Sequence, residues 1–225
     1  MATTHRRLTH RGLIPALVLL IGLSACTRLP HLPEEPADEA AWQVHSEQLQ
    51  RLQAWSLDGR VALRAPDDGW TASLQWSQWV DYMDFRLRGT FGIGTTRVRG
   101  SQEWMVIETS RGDVWETARP EVELERLTGW RVPLAMLRWW MVGLPAPDEA
   151  PKERVVDGNG HLAYLEQGGW RVHYEDYADY EGQMLPGRIT VENEEVRLRI
   201  RIRDWLLGEE EPSERFSLPE TDSAE

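Results

Sequence analysis

The chain has 225 residues and a formal net charge of −12, from 25 basic and 37 acidic residues. This charge argues against binding to nucleic acid and against electrostatic binding to anionic lipid, because both need a basic surface. The chain has a single cysteine, Cys26, so it cannot form an internal disulfide and its fold must rest on a hydrophobic core.

The first residues have the pattern of an export signal. Three arginines precede an uncharged run that ends in Leu-Ser-Ala-Cys at Cys26. Pro15 interrupts this run, which is also too short for a membrane-spanning helix of about 20 apolar residues. We predict a bacterial lipoprotein signal peptide over residues 1–25 and a covalent lipid on Cys26, with no other cofactor. The alternative is a buried or free cysteine beside an ordinary signal peptide.

Three further segments follow the signal. Residues 26–39 are rich in proline and acids, which predicts a flexible tether. Residues 40–207 are long enough for one domain with a sizeable core. Residues 208–225 contain seven acids and one arginine, and we predict a disordered acidic tail.

The domain opens with a short amphipathic pattern. Trp42, His45 and Leu49 fall near helical spacing, and no glycine or proline interrupts them. We therefore predict a helix over Ala40–Ala54.

A two-residue period replaces the helical one after this segment. Apolar and polar residues alternate from Trp55 to Leu63 and again from Trp70 to Trp76, with a turn at Asp67-Asp68-Gly69 between them. This pattern predicts two strands joined in a hairpin. Further alternation lies in Met83–Leu87, Trp104–Val106, Trp170–Tyr174 and Val196–Ile202. The fold class is therefore mainly β, a large antiparallel sheet or an open barrel.

Two helices interrupt the strands. Pro120, followed by several glutamates, predicts the start of a helix that ends near Gly129. Pro133 predicts the start of a second helix, which ends at Gly143. We expect these helices to cover the apolar face of the sheet.

All 12 tryptophans follow the predicted signal, and several fall on the predicted apolar faces. This composition fits either an ordinary core rich in tryptophan or a cavity that holds an apolar ligand. The candidate residues for a cavity and its lid are Trp55, Leu57, Trp76, Phe85, Leu137 and Trp140.

Sequence signatures of catalysis are absent. The chain has no His-Glu-x-x-His motif, no Gly-x-Ser-x-Gly motif and no phosphate-binding glycine loop. Its histidines after Cys26 are scattered; His161 and His173 could meet across a hairpin, but surface positions are the expectation. We predict that the protein is not an enzyme and has no catalytic or metal-binding residues.

The order of several motifs resembles the LolB family of outer-membrane lipoprotein receptors. The motifs are Trp55–Leu63, Gly69–Trp76, Arg86–Thr95, Leu127–Trp130 leading to Pro133–Trp140, Gly143–Pro145 and Gly169–Tyr174. The resemblance implies an incomplete antiparallel barrel around an apolar cavity, with short helices as a lid.

The resemblance also implies a function. A monomeric receptor, anchored in the outer membrane by its lipid and facing the periplasm, would accept acylated lipoproteins from a LolA-type carrier and insert them into outer-membrane lipid. Thr27 after the lipidated cysteine is compatible with this location. The alternative is a non-catalytic envelope lipoprotein that acts as a structural or assembly partner.

One segment departs from the family pattern. The family has Gly-Pro-Leu-Gly at a hairpin tip, whereas this chain has Gly-Thr-Phe-Gly, with Phe91 in place of the protruding leucine. By resemblance, Phe91 would insert into the membrane, supported by Ile93. The alternative is that Phe91 packs into the core.

Overall fold

A computed structural model describes residues 32–33, 35–89, 94–128 and 133–208, without the side chains of residues 127 and 128. The predicted signal peptide, Cys26 and residues 209–225 of the predicted tail lie outside these ranges.

The described residues form three helices and thirteen strands. The helices are α1 (Glu39–Gln50), α2 (Pro120–Thr128) and α3 (Leu134–Met141). The first six strands are β1 (Ala54–Arg64), β2 (Gly69–Trp79), β3 (Tyr82–Gly89), β4 (Thr95–Gly100), β5 (Met105–Thr109) and β6 (Val114–Thr117). The others are β7 (Glu153–Val156), β8 (Leu162–Gln167), β9 (Trp170–Glu175), β10 (Ala178–Tyr180), β11 (Gln183–Leu185), β12 (Arg188–Glu192) and β13 (Arg197–Leu207).

Eleven strands form one antiparallel sheet in the order β6-β5-β4-β3-β2-β1-β13-β12-β9-β8-β7, and β10 and β11 form a separate hairpin. The first strand pairs with the last, which joins the two halves of the chain at the centre of the sheet. In the described ranges the edge strands β6 and β7 do not pair with each other, so the sheet is open. The predicted fold class, an open antiparallel structure with short helices, is confirmed.

Helix α1 begins at a capping residue. The Asp38 carboxylate accepts a hydrogen bond from the Ala41 N–H at 2.9 Å, which satisfies one free donor of the first turn. The apolar stripe of this helix is buried, with Trp42 and Leu49 in the core. The helix ends at Gln50, four residues before the predicted end, because Ala54 instead pairs with Trp79 as the first residue of β1.

The alternation predicted for β1 and β2 is confirmed. Trp55, Leu57, Val61 and Leu63 point into the core, and β2 runs on to Trp79. We call the side of the sheet that carries these residues the inner face and the opposite side the outer face.

Helices α2 and α3 begin and end close to the predicted residues. Pro120 is the first residue of α2, and Pro133 is the N-cap of α3. After α3, Gly143 has a φ of +85°, the Gly143 N–H donates to Trp140 O at 3.1 Å and the Leu144 N–H donates to Trp139 O at 3.0 Å. This pair of bonds is a Schellman motif, in which glycine adopts the left-handed conformation with little cost.

The three helices and the inner face of the sheet contribute to one hydrophobic cluster. It contains Leu49 of α1, Leu124 of α2 and four residues of α3, together with the apolar side chains of the strands. The helices therefore cover the inner face, as a sheet with one apolar side requires.

Candidate functional site beneath the helices

A row of aromatic side chains crosses four neighbouring strands on the inner face. Trp205 of β13 contacts Trp55 of β1 with ring centroids 5.3 Å apart. Trp55 contacts Trp76 of β2 at 5.5 Å, and Trp76 contacts Phe85 of β3 at 5.7 Å. These tilted and edge-on contacts are the favoured arrangements for aromatic pairs. Trp205 is also fixed by its indole N–H, which donates to Pro186 O at 3.2 Å.

The structure brings the six candidate cavity and lid residues into the same hydrophobic cluster. Trp55, Leu57 and Trp76 are buried, and Phe85 is partly buried against them. Leu137 and Trp140 are buried on the side of α3 that faces the sheet. Whether these residues contact a ligand stays a prediction.

The inner face is filled by protein side chains where α3 covers it. Trp140 has 0 % of its surface accessible, and Leu137 has 6 %. A side chain that lined an open cavity would be accessible to a water-sized sphere from within. These two residues therefore pack in a closed core, and an apolar ligand can reach them only if the helix cover moves.

Trp205 belongs to this site, although the sequence pattern does not identify it. Inward residues of β13 alternate from Leu198 to Ile202, and continuing that alternation would turn Trp205 outward. The pairing of β1 with β13 shifts register between Asp58 and Gly59, so that one extra residue of β13, Arg203, is accommodated. Such a bulge reverses the alternation and turns Trp205 into the core.

Gln167 of β8 holds the C-terminal end of α3. The Trp140 indole N–H donates to Gln167 Oε1 at 2.8 Å, and the Ala146 N–H donates to the same oxygen at 2.9 Å. The Gln167 amide donates in turn to the carbonyls of Ala146, at 2.7 Å, and Glu149. Gln167 is buried, so its loss would leave several polar groups unsatisfied in the core.

A cleft of about 160 Å³ opens between α1, α3 and the β2–β3 turn. It is lined by Leu49, Gln50, Leu52, Gln53, Trp55, Gln78, Val80, Asp81, Arg138, Trp139 and Val142. The cleft reaches Trp55, so it leads from the surface to the aromatic row.

The turn at one side of this cleft is strained and tied to α3. Val80 has a φ of +49°, which is rare for a β-branched residue. Its N–H donates to Gln53 O at 2.7 Å, and its carbonyl accepts from Gln78 Nε2 at 2.8 Å and from Arg138 Nη1 at 3.1 Å. Arg138 of α3 also forms an ion pair with Asp81. These bonds connect the helix to the turn across the cleft.

A second cluster joins α1 to the residue before β8 and to the loop between β9 and β10. The ring of His45 lies 5.1 Å from that of His161, and His161 stacks on Tyr177 at 4.7 Å. Burial, then the neighbouring His161, lowers the pKa of His45 to about 4, and Asp157 opposes this shift. His45 Nε2 is buried without a hydrogen-bond partner, as suits a neutral imidazole.

His161 and His173, which could have met across a hairpin, do not meet. The register pairs His173 with Tyr164, whose ring lies 4.9 Å away, whereas His161 precedes β8 and turns toward α1. No group of three or more His, Cys, Asp or Glu residues able to hold a metal ion is found in the described ranges. In the same ranges, no helix is long and apolar enough to cross a membrane.

The predicted membrane tip falls between two described strands. The Gly89 N–H donates to Gly94 O at 2.9 Å, which closes the β3–β4 hairpin. Phe91 and Ile93 lie outside the described residues, so their predicted role stays a prediction.

These features define the class of protein: it is mainly β, with an open antiparallel sheet whose aromatic inner face is covered by helices. The family described as Outer membrane lipoprotein LolB matches residues 53–205. A protein named outer-membrane lipoprotein LolB from Pseudomonas fluorescens is 40% identical over 168 residues, which cover 74% of this chain and 81% of that protein. One of the same name from Pseudomonas paraeruginosa is 38% identical over 191 residues, covering 84% and 92%.

The chain therefore belongs to the outer membrane lipoprotein LolB family, as its motifs predict. Among solved structures, the LolA superfamily protein NE2245 from Nitrosomonas europaea is similar with a TM-score of 0.47 and 10% identity, covering 77% of this chain and 94% of that chain.

Proposed function

We propose that this protein is a monomeric outer-membrane receptor that accepts acylated lipoproteins from a LolA-type periplasmic carrier and inserts them into outer-membrane lipid. A lipid on Cys26 anchors it on the periplasmic side. It works without catalysis, cofactor or nucleic acid. The observation that supports this proposal most strongly is a LolB family match that spans the aromatic inner face.

The cargo explains why such a site is needed. Each methylene of an acyl chain removed from water contributes about 0.8 kcal/mol, so the chains of one lipoprotein contribute on the order of tens of kcal/mol. A lipoprotein therefore cannot cross an aqueous compartment unless its chains stay covered. The inner face offers a cover of the same apolar chemistry, with the row from Trp205 to Phe85 as its floor.

Cargo must displace helices from the inner face, and α2 and α3 differ in how firmly they are held. Helix α3 buries Leu134, Leu137, Trp140 and Met141, which stabilises its position by about 6–12 kcal/mol at 1.5–3 kcal/mol for each side chain. Of the apolar side chains described in α2, Pro120 and Leu124 are buried, whereas Val122 is exposed. Helix α2 therefore parts from the sheet more easily.

The two ends of α3 have different roles in this opening. Gln167 holds the C-terminal end through Trp140, which makes that end the pivot. At the other end, the Ala135 N–H donates to Glu121 Oε1 of α2 at 3.3 Å, so the start of α3 follows α2 when it moves. Arg138, bonded to Val80 O and Asp81 across the cleft, acts as a latch that keeps α3 down while no cargo is present.

Affinity differences drive the transfer. When cargo enters, its acyl chains take the place of the apolar helix side chains that pack on the inner face. Accepting cargo therefore exchanges one set of buried apolar contacts for another. A ligand shifts such an equilibrium by its differential affinity for the open and closed states. The receptor must hold acyl chains at least as well as the carrier does and less well than a bilayer does.

The central test is a handover assay with a soluble form of the protein. This form carries Cys26→Ala and is exported by an ordinary signal peptide. A loaded carrier is mixed with this form, and cargo on each protein is measured after separation. We expect cargo to move to the receptor, because the inner face is built by strands and helices and not by the anchor. A folded domain that takes no cargo and shows no change in tryptophan emission with an acylated peptide would instead support a structural envelope role.

The latch has its own test. Arg138→Met keeps the apolar stem beside Trp139 but removes the bonds to Val80 O and Asp81. Since Asp81 is exposed, these bonds together contribute about 1 kcal/mol, and we expect acceptance to become roughly fivefold faster.

The matched control is Arg126→Met, which removes an exposed ion pair within α2. We expect this control to leave the acceptance rate unchanged. Equal rates for both variants and the unaltered protein would contradict the latch.

A further inference from the structure

The outer face of the sheet is basic, although the chain as a whole is acidic. One register row across β12, β13, β1, β2 and β3 reads Arg188, Arg201, Arg60, Ser73 and Arg88. Four of five positions in this row are arginines. Since neighbouring strands lie about 4.8 Å apart, their charges are concentrated on one surface.

Five acids of this face form ion pairs with arginines, whereas Asp204 of β13 is exposed without an ion-pair partner in the described ranges. Asp84 pairs with Arg97, Glu108 with Arg99, Glu175 with Arg188, Glu192 with Arg197, and Asp58 with Arg203. Within the described ranges, six outer-face arginines have no ion-pair partner. We call this group the arginine face: Arg60, Arg64, Arg86, Arg88, Arg199 and Arg201.

The arginine face is unfavourable when left uncovered. Arg60 and Arg201 lie directly opposite each other in the antiparallel register, and like charges at such positions repel. Arg60, Arg64, Arg199 and Arg201 are exposed, so an anionic group can reach them. The surface therefore fits a flexible anionic segment that runs along the strands.

The chain itself contains such a segment. Residues 209–225 follow directly on β13, the strand that contributes Arg199 and Arg201, and they hold seven acids and one arginine. Their net charge of −6 matches the six unpaired arginines in number.

The length of the segment is sufficient. Seventeen residues, counted from 209 to 225, reach about 56 Å when extended, whereas the eleven residues of β13 span about 36 Å at 3.3 Å each. Residues 209–225 can therefore turn back at Gly208, which has a φ of +140°, and run along the whole arginine face. Because the segment is covalently attached, its effective concentration at this face is high.

We propose that residues 209–225 dock on the arginine face as an intramolecular anionic cover. The cover keeps anionic lipid headgroups away from a basic surface on a membrane-anchored protein. This inference comes from the charges of the outer face and does not depend on the proposed cargo function.

The test uses the soluble Cys26→Ala form with Ser223→Cys carrying a spin label. We expect the label to broaden the amide signals of β13, β1 and β3 at about 0.01 M salt. This broadening should disappear at about 1 M salt, where charges are screened beyond about 3 Å. The control has the same label, with the seven acids of residues 209–225 changed to their amides, and should show no broadening at either salt concentration.

A second variant tests the other side of the contact. Arg60→Ser, Arg199→Ser and Arg201→Ser together remove half of the arginine face at outward positions, so folding should be retained. This variant should lose the broadening in the labelled chain. Broadening that persists in it, or that is centred on the helices, would overturn the proposal.

Vesicles of phosphatidylglycerol test whether residues 209–225 or lipid headgroups occupy the arginine face. At low salt, the Cys26→Ala form ending at Gly208 should bind these vesicles at least tenfold more tightly than the Cys26→Ala form that keeps residues 209–225. Equal binding by the two chains, with no broadening from the label, would show that lipid and not the tail occupies the face.

Discussion

The inner and outer faces of the sheet are made by the same strands and differ in almost every physical property. On β13, Leu198 and Ile200 are buried in the core, while their neighbours Arg199 and Arg201 are exposed. The inner face is closed by three helices and tied at Gln167. The outer face holds arginines opposite one another without acidic partners in the described ranges.

The difference shows that net charge is a property of the chain and not of any one surface. A charge of −12 argues against binding to anionic lipid, yet the structure gathers six unpaired arginines on one face. Strand alternation places these residues together, because every second side chain shares a face. An argument from overall charge therefore does not extend to this face.

The largest effect is expected from a charge placed in the inner face. Trp140→Glu removes a fully buried ring and its bond to Gln167, and it buries a carboxylate without a partner. We expect a loss of at least about 3–5 kcal/mol in the free energy of unfolding and a strong loss of cargo acceptance. Urea unfolding and the handover assay measure both.

Trp139→Glu is the control for this variant, because Trp139 is only partly buried beside Arg138. Its effect on stability should be clearly smaller. Similar losses for the two variants would mean that the two sides of α3 do not differ as the structure indicates.

The pH dependence of stability tests the burial of His45, which lies on α1 above the inner face. The pKa of His45 is lowered to about 4 in the folded state, below its ordinary value of 6.5. As pH falls from 6.5 to 4, the unfolded state takes up a proton that the folded state refuses. Stability should therefore decrease through this window, by about 3 kcal/mol in total.

Unfolding of His45→Phe from pH 7.5 to pH 4 should show a much flatter profile. Part of the slope should remain, because burial also lowers the pKa of His173. A profile identical to that of the unaltered protein would assign the acid sensitivity to other groups.

A variant at Phe91, the predicted membrane-insertion residue, should separate accepting cargo from delivering it. Phe91→Glu should leave stability and acceptance nearly unchanged but block insertion into liposomes, because burial of an aromatic ring in lipid contributes about 1.5–3 kcal/mol and a carboxylate opposes entry. Cargo in the lipid and on the protein is measured separately after handover. Phe91→Ala should have a weaker effect, and normal delivery by Phe91→Glu would exclude the insertion role.

The smallest effect is expected on the outer face, where two adjacent residues of β13 give a direct contrast. Arg201→Ser relieves the repulsion with Arg60 and should change stability by no more than about 0.5 kcal/mol. Ile200→Ser, one residue earlier, buries a hydroxyl in the core and should destabilise by about 2–4 kcal/mol. Denaturant midpoints that do not differ between these variants would contradict the assignment of the two faces.

Local sequence patterns determined much of this fold. The alternation from Trp55 to Leu63 and the prolines before α2 and α3 locate their elements, because strand periodicity and helix starts depend on nearby residues. The motifs in order also identify the family, which the match over residues 53–205 confirms.

Tertiary structure decided the features that depend on distant partners. Trp205 turns inward because β13 shifts register against β1, about 150 residues earlier in the chain, and the alternation within β13 does not encode that shift. His45 meets His161, a contact that no sequence pattern indicates, because the turn before β8 faces α1. The arginine face exists because strands from both ends of the chain pair at the centre of the sheet, and long-range pairing alone decides which charges become neighbours.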